Sequence, residues 1–142
     1  MQRGRRIAFD YGDVRTGIAT SDADSIVVTP LPALSTISPT LLGDIAMIFA
    51  EYEPVTIFVG EPRHLSGAES AKMLSVATFV TALKALTQAQ IVMIDERLST
   101  VSAAAKLRAN GKDAKSSKSL IDSAAAAEIL EAGLNKLRFE IL

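Results

Sequence analysis

Residues 5–20 read RRIAFDYGDVRTGIAT, a pattern typical of two strands joined by a tight turn. Arg5 to Tyr11 ends in an apolar run, and Gly12-Asp13 is a turn signal. Thr16 to Thr20 carries β-branched residues at alternate positions, as a second strand does. After another polar turn, Ile26 to Thr29 predicts a third strand. The opening of the chain therefore predicts an antiparallel meander of three strands.

The rest of the chain alternates helical and strand patterns. Ser38 and Pro39 occupy the N-cap and first helical positions expected of a helix that continues to Phe49. Further strands are predicted over 55–60 and 91–94, and the composition of the second predicts burial on both faces. Further helices are predicted from Ser66 or Ser70 to Leu86, from Ser99 to Asn110 and from about Leu120 to Leu137. The order β-β-β-α-β-α-β-α-α predicts an α/β fold whose mixed five-stranded sheet has three antiparallel strands and then parallel ones.

Length and composition narrow the class of protein. The 142 residues fit one domain, 1–142, and 49% of them are hydrophobic, which argues against disorder. Without cysteine, the chain has no disulfides, zinc–thiolate sites, thiol nucleophiles or iron–sulfur clusters. The first apolar run stops at Asp10, too early for a signal peptide or a membrane span. We expect a soluble cytoplasmic protein.

The net charge of −1 does not by itself indicate a nucleic-acid partner. The basic residues are nevertheless grouped. One group contains Lys106, Arg108, Lys112, Lys115 and Lys118, and a second contains Arg3, Arg5, Arg6 and Arg15. Each group fits either an ordinary solvated surface or a rim that contacts phosphates.

Three acidic residues follow apolar segments in distant parts of the chain. Asp10 closes one apolar run, Glu96 follows another, and Asp122 precedes an alanine-rich helical stretch. Taken singly, each could be a helix cap, a turn residue or half of an ion pair. Because carboxylates are costly to bury without a partner, their recurrence suggests one shared site. Three carboxylates are a natural ligand set for Mg²⁺, so the sequence favours a metal-dependent phosphoryl-transfer enzyme such as a nuclease.

Four motifs extend this interpretation over nearly the whole chain. They are AFDYG at 8–12 with GIA at 17–19, IFVG at 57–60 before Pro62, DERLST at 95–100, and IDSAAA at 121–126. As a set, they resemble the YqgF/RuvX family, which has a ribonuclease H-like three-layer fold related to Holliday junction resolvases. The resemblance implies that the carboxylates of Asp10, Glu96 and Asp122 are catalytic and hold Mg²⁺ or Mn²⁺, as two ions.

The resemblance also implies a substrate class. Proteins like these are assigned to processing of the 5′ end of pre-16S rRNA, and to resolvase-like cleavage of branched DNA. Both reactions hydrolyse a phosphodiester, so the expected partner is a nucleic acid and not a membrane. A resolvase would dimerise to cut two strands, so the chain is expected to be a monomer or a homodimer.

The chain departs from the family pattern around the site. Glu61 and His64 stand where the family has an apolar residue and an amide. Ser119 replaces a glycine before the last carboxylate, and Ser102 replaces a glutamate early in the helix after the DERLST motif. None of these differences removes a carboxylate.

Four side chains are candidates for substrate contacts: Arg15, His64, Arg97 and Lys118. Arg97 could clamp a phosphate or anchor Asp95, which in a strand points away from the face of its neighbour Glu96. Lys118 precedes Asp122 by one helical turn and could reach the same phosphate. His64 could donate a proton or contact RNA, or be an exposed loop residue.

Two other functions fit parts of the pattern. A strand ending in Asp-x-Gly also opens the phosphate-binding site of the actin-like and sugar kinase ATPases. Those enclose the nucleotide between two such domains, whereas this chain fits one, and it has no Walker-type loop. A non-catalytic nucleic-acid-binding domain of the same fold is the other alternative.

Overall fold

The computed structural model describes residues 1–62, 67–98 and 114–141, with the backbone alone for 67–70, 98, 114–122 and 141. The strands are β1 Arg6–Tyr11, β2 Arg15–Ser21, β3 Val28–Ser35, β4 Thr56–Glu61 and β5 Gln90–Asp95. The helices are α1 Leu41–Tyr52, α2 Gly67–Lys84 and α3 Ala114–Ile141, with a short 3-10 helix at Glu96–Leu98.

The strands form one sheet in the order β3-β2-β1-β4-β5. β1 and β2 are antiparallel, as are β2 and β3, whereas β4 and β5 run parallel to β1. The turn between β1 and β2 needs Gly12, because a Cβ there would lie 2.4 Å from the carbonyl oxygen of Arg15. The predicted mixed five-stranded sheet is confirmed. The carboxyl ends of the parallel strands β1, β4 and β5 lie at the same end of the sheet as the β1–β2 turn. This end is the C-terminal end of the sheet.

Helices cover both faces of the sheet and give it three layers. Along β1, Ile7 and Phe9 point to the face covered by α1 and α2, where the ring of Phe9 packs edge-on against those of Phe49 and Phe79, with centroids 6.1 and 5.4 Å apart. Ala8 points to the other face, where it is buried with residues of α3. This alternation decides which face each functional residue occupies.

The third strand differs from its prediction over Ile26–Thr29. The structure places β3 at Val28–Ser35. The first two residues of the predicted strand belong instead to a turn, where their amides donate to Asp22 Oδ1 at 2.7 and 3.1 Å. Pro30 and Pro32 are tolerated in β3 because it is the last strand of the sheet, where a missing N–H need not break the ladder.

The start of the first helix is also corrected. α1 begins at Leu41 with Thr40 in the N-cap position, not at Pro39 with Ser38 as its cap. The Ser38 hydroxyl instead accepts a hydrogen bond from the Thr40 amide at 3.2 Å, which forms a turn ahead of the helix. The predicted helix from Ser99 to Asn110 lies outside the described residues.

The last helix begins earlier than predicted. α3 starts at Ala114, so the Lys/Ser segment before Leu120 is helical, and Asp122 lies within the helix instead of at its start. An N-cap role for Asp122 is therefore wrong.

The fifth strand is less buried than its apolar composition predicts. β5 is the last strand of the sheet at the other side, and Ile94 is its one buried residue, 3% exposed. Gln90 is exposed and the remaining residues are partly buried, because β5 has a neighbouring strand on one side only.

No helix in the described part of the chain is long and apolar enough to cross a membrane.

Candidate active site

Two of the three predicted carboxylates lie on the same face at the C-terminal end of the sheet. Asp10 is the penultimate residue of β1 and alternates with Ala8, so it points to the face covered by α3. Glu96 follows β5 directly and alternates with Ile94, which packs against the same helix. Both acids are partly buried. Asp10 and Glu96 are therefore brought together from positions 86 residues apart in the chain.

Gly60 of β4 lies between these acids. The parallel register pairs Phe9 with Val59, which puts Gly60 beside Asp10 at the ordinary strand spacing of about 4.8 Å. A Cβ on Gly60 would lie 3.0 Å from Cγ and 3.1 Å from Oε1 of Glu96, and 2.8 Å from Cδ1 of Ile129. The side chain of Glu96 thus rests directly on the backbone of Gly60, a position that any larger residue would disturb.

The third acid is carried by the helix that covers this face. Asp122 is the ninth residue of α3, and its side chain lies outside the described part of the structure. The next residue, Ser123, is fully buried, and its hydroxyl accepts a hydrogen bond from the Ile18 amide at 3.4 Å. Ile18 follows Gly17, which is the register partner of Asp10. The backbone of α3 at position 122 is therefore held close to the part of the sheet that carries Asp10.

Sequence reasoning did not assign a role to Gly60 or Ser123. Gly60 ends an apolar strand, and an isolated glycine in such a strand often marks a close approach of other groups. That signal could have been used. The role of Ser123 depends on which strand its helix covers, which local sequence does not show.

Asp95 and Arg97 form an ion pair at the same end of the sheet. Arg97 Nη2 lies 2.7 Å from Asp95 Oδ2, and the Arg97 backbone amide donates to Asp95 Oδ1 at 2.9 Å. This hydrogen bonding to the carboxylate raises the pKa of Arg97. The contacts favour the interpretation of Arg97 as an anchor for Asp95. Because the Arg97 side chain is 62% exposed, a phosphate contact stays a prediction.

Of the other three residues predicted to contact substrate, the structure describes the side chain of Arg15 alone. Arg15 begins β2 at the C-terminal end of the sheet, close to the turn that follows Asp10. Lys118 lies in α3 one turn before Asp122, as its spacing predicts, but its side chain is outside the described residues. His64 is also outside them.

The arginines that precede β1 lie at the opposite end of the sheet. Arg3 forms an exposed ion pair with Asp24 at 2.9 Å, and Arg5 lies over an aromatic ring of α1. Arg6 is 2% exposed, and its guanidinium donates to the Ser25 hydroxyl at 2.9 Å. Burial lowers the pKa of Arg6. A phosphate-contacting rim beside the carboxylates is therefore wrong for these three arginines.

The donor set fits a hard divalent cation. Among the residues with described side chains, which include Asp10 and Glu96 but not Asp122, no three histidine, cysteine, aspartate or glutamate side chains converge to hold a metal ion. Two carboxylates nevertheless share one face at the C-terminal end of the sheet, with Gly60 leaving room for Glu96. Carboxylate oxygens are the ligands that Mg²⁺ and Mn²⁺ prefer.

An acid on the central strand, a second acid after the last parallel strand and this strand order define the ribonuclease H-like class, in which the Holliday junction resolvases fall. The fold is shared with Thermus thermophilus RuvC in complex with a Holliday junction substrate, with a TM-score of 0.60 and 14% identity over 96% of each chain. It is also shared with the fowlpox virus resolvase, with a TM-score of 0.56 and 12% identity over 97% of this chain and 99% of the other.

The family model described as "RuvX: Holliday junction resolvase" matches residues 4–136, and the chain belongs to this family. A relative from Streptomyces coelicolor is 39% identical over 140 residues, which cover 97% of this chain and 84% of the relative. A relative from Rhodococcus opacus is 42% identical over 141 residues, covering 94% and 79%. Both bear the name "Putative pre-16S rRNA nuclease". The resemblance stated from the motifs is confirmed.

Proposed function

We propose that this protein is a Mg²⁺- or Mn²⁺-dependent endonuclease that processes the 5′ end of pre-16S rRNA in the cytoplasm. The observation that carries the proposal is the convergence of Asp10 and Glu96 on one face of the sheet, beneath the helix that bears Asp122. The names of the Streptomyces and Rhodococcus relatives support the choice of substrate.

Asp10, Glu96 and Asp122 would hold the metal, which would supply activation of a water molecule and stabilisation of the charge that develops on the phosphate. Asp10 lies on the central strand, between β4, on which Glu96 rests, and β2, which α3 contacts through Ser123. The contact of Glu96 with Gly60 restricts its side chain, and a preorganised carboxylate loses less entropy when a cation binds.

Positive charge beside these acids would hold the substrate. Arg15 lies at the same end of the sheet, and Lys118 is on α3 one turn before Asp122. Their role is to bind phosphate oxygens and orient the scissile bond, as arginine and lysine do at other phosphate sites. Arg97, held by Asp95, presents an exposed guanidinium edge for a further phosphate contact.

A second candidate substrate is branched DNA. The family description names a Holliday junction resolvase, and that reaction uses the same phosphodiester chemistry. The ribosomal RNA precursor is preferred because relatives at about 40% identity carry that name, whereas the resolvases share only the fold.

The test is cleavage by purified protein of a pre-16S rRNA 5′ fragment and of a four-way DNA junction, each with Mg²⁺, Mn²⁺ or EDTA. Asp10→Asn removes the charge of the central carboxylate, and we expect it to lower the cleavage rate more than about 100-fold, the upper range for loss of a residue that only supports a metal ligand. Asp24→Asn, at the opposite end of the sheet, is the matched control and should cut like the wild type.

Equal cleavage by wild type and Asp10→Asn would overturn the assignment of the active site. Tight RNA binding by the wild type without metal-dependent cleavage would instead show a non-catalytic nucleic-acid-binding protein. Preferential cleavage of the junction would replace the RNA substrate with branched DNA and leave the site assignment intact.

A further inference from the structure

The hydroxyl of Ser123 is buried between α3 and the sheet. Ser123 is 0% exposed, and its Oγ accepts a hydrogen bond from the amide of Ile18 in β2 at 3.4 Å. The same hydroxyl donates to the carbonyl oxygen of Leu31 in β3. Ile18 and Leu31 are register partners, so one side chain of the helix bridges a pair of neighbouring strands.

This bridge lies where the ladder between β2 and β3 is irregular. Thr16 pairs with Leu34, but two positions further on Ile18 pairs with Leu31, so β3 contains one extra residue. A bulge of this kind disrupts the ladder locally and leaves the extra residue unpaired. Ser123 bonds to the first pair beyond the bulge, and among the strand pairs of the described residues the register shifts only here.

The other described contacts between α3 and the sheet face are mainly apolar. They include the buried side chains of Ala126, Ile129 and Leu130. Apolar burial is non-directional, whereas a hydrogen bond depends steeply on distance and angle. A slip of one residue along a helix moves a side chain by about 1.5 Å and turns it by about 100°. The Ser123 hydroxyl therefore distinguishes one register of α3 from its neighbours.

We propose that Ser123 is a positioning residue, whose buried hydroxyl fixes the register of α3 on the β2–β3 bulge and thereby places Asp122 relative to Asp10. The link is short, because Asp122 precedes Ser123, and Ile18 follows the register partner of Asp10. The inference rests on the proposed function for the role of Asp122 as a metal ligand.

The experiment measures binding of Mn²⁺ alone, by calorimetric titration without nucleic acid. We expect Ser123→Ala to weaken Mn²⁺ binding by about 10- to 100-fold, the usual effect of removing a group that orients a metal ligand. Ser75→Ala is the matched control, because that hydroxyl donates to a carbonyl of its own helix, and it should bind Mn²⁺ like the wild type.

A general loosening of α3 needs its own control. Leu130→Val removes one methylene from the same buried interface and leaves the Ser123 hydrogen bonds in place. It should lower the thermal midpoint without changing Mn²⁺ affinity. If Leu130→Val weakens Mn²⁺ binding as much as Ser123→Ala does, the register role is overturned. Where Ser123→Ala does not fold, Ser123→Cys retains the size and a weaker donor, and should weaken binding in the same direction by less.

A double-mutant cycle with Asp122→Asn separates positioning from other effects. If Ser123 acts through Asp122, adding Ser123→Ala to Asp122→Asn leaves Mn²⁺ affinity unchanged. Independent, additive losses overturn the proposal, as does a wild type that binds no Mn²⁺. A wild type that binds Mn²⁺ with this non-additive pattern but cleaves no nucleic acid supports the positioning role while refuting the nuclease assignment.

Discussion

The two ends of β1 carry charge in opposite ways. At its N-terminal end, the buried guanidinium of Arg6 donates to Ser25 and to the carbonyl oxygen of Gln2 at 2.7 Å, so the charge is used inside the fold. At its C-terminal end, Asp10 and Glu96 share one face beside Gly60, where we propose that they bind a divalent cation. Charged residues only four positions apart in the sequence therefore differ in role, because the strand carries them to opposite ends of the sheet.

The largest expected effect comes from a change at the C-terminal end of the sheet, where Asp10 and Glu96 lie. Glu96→Gln keeps the size of the side chain resting on Gly60 but removes its charge, and we expect nuclease activity to fall more than about 100-fold. Glu51→Gln, an exposed change in α1, is the control. Cleavage rates should separate the two, while thermal midpoints stay similar. Full activity in Glu96→Gln would remove this residue from the site.

The second prediction concerns the N-terminal end of β1, where Arg6 is buried. Arg6→Met removes several hydrogen bonds of a buried charged group and leaves their partners unsatisfied, so we expect the free energy of unfolding to fall by about 2–4 kcal/mol. Arg3→Met removes an exposed ion pair and should change it by less than about 1 kcal/mol. Urea unfolding measures both. Equal effects would mean that the burial of Arg6 contributes little.

The third prediction concerns the space under Glu96. Gly60→Ala places a Cβ against Glu96 and Ile129, so we expect activity to fall by about 10-fold through displacement of the carboxylate. Gly133→Ala would press on the ring of Phe58 in the same layer and should lower stability first. Gly43→Ala has open space and should raise stability by about 0.5–1 kcal/mol. Cleavage rates of Gly60→Ala and Gly133→Ala are compared at equal fractions of folded protein. A lower rate for Gly60→Ala alone supports a role for Gly60 through Glu96, and equal rates contradict it.

The smallest expected effect is a pH dependence of stability that comes from Asp22, in the turn after β2. Hydrogen bonds from the amides of Ile26 and Val27 lower the pKa of Asp22. A carboxyl whose folded pKa is depressed contributes stability above its unfolded pKa of about 3.9, and loses it as pH falls through the folded value. Asp22→Asn should therefore flatten the acid limb of the stability curve below about pH 4. Urea midpoints between pH 2.5 and about pH 6 test this, and an unchanged slope would contradict it.

Several elements could be predicted because local sequence determines them. Asp10 lies near the end of β1 and Glu96 directly follows β5, as the apolar runs before them predict, and parallel strands place such ends together. The sequence predicts too short a range for β3, because its prolines argue against a strand unless that strand is known to lie at the side of the sheet. The sequence predicts a helix that begins near Asp122, because the serine- and lysine-rich segment before it resembles a loop, whereas that segment is helical in the structure.

The features that support the site depend on tertiary register. Gly60 supports the site because Glu96, which follows β5, lies against it. Ser123 supports it because α3 crosses the bulge between β2 and β3. Neither relation exists within a short segment of sequence. The single-domain assignment and the choice between monomer and homodimer stay predictions.

The pairing of β1 with β4 has a consequence for the order of folding. The β1–β2 ladder joins neighbouring residues, whereas Phe9 pairs with Val59 and the hydroxyl of Ser123 reaches Ile18 across 105 positions. Long-range pairings of this kind are slow to close. An emerging chain can form its first hairpin, with Asp10 in place, long before its other two acids exist. If Asp122 is a metal ligand as proposed, the site would be complete only after α3 docks, so we expect a partly synthesised chain to lack nuclease activity.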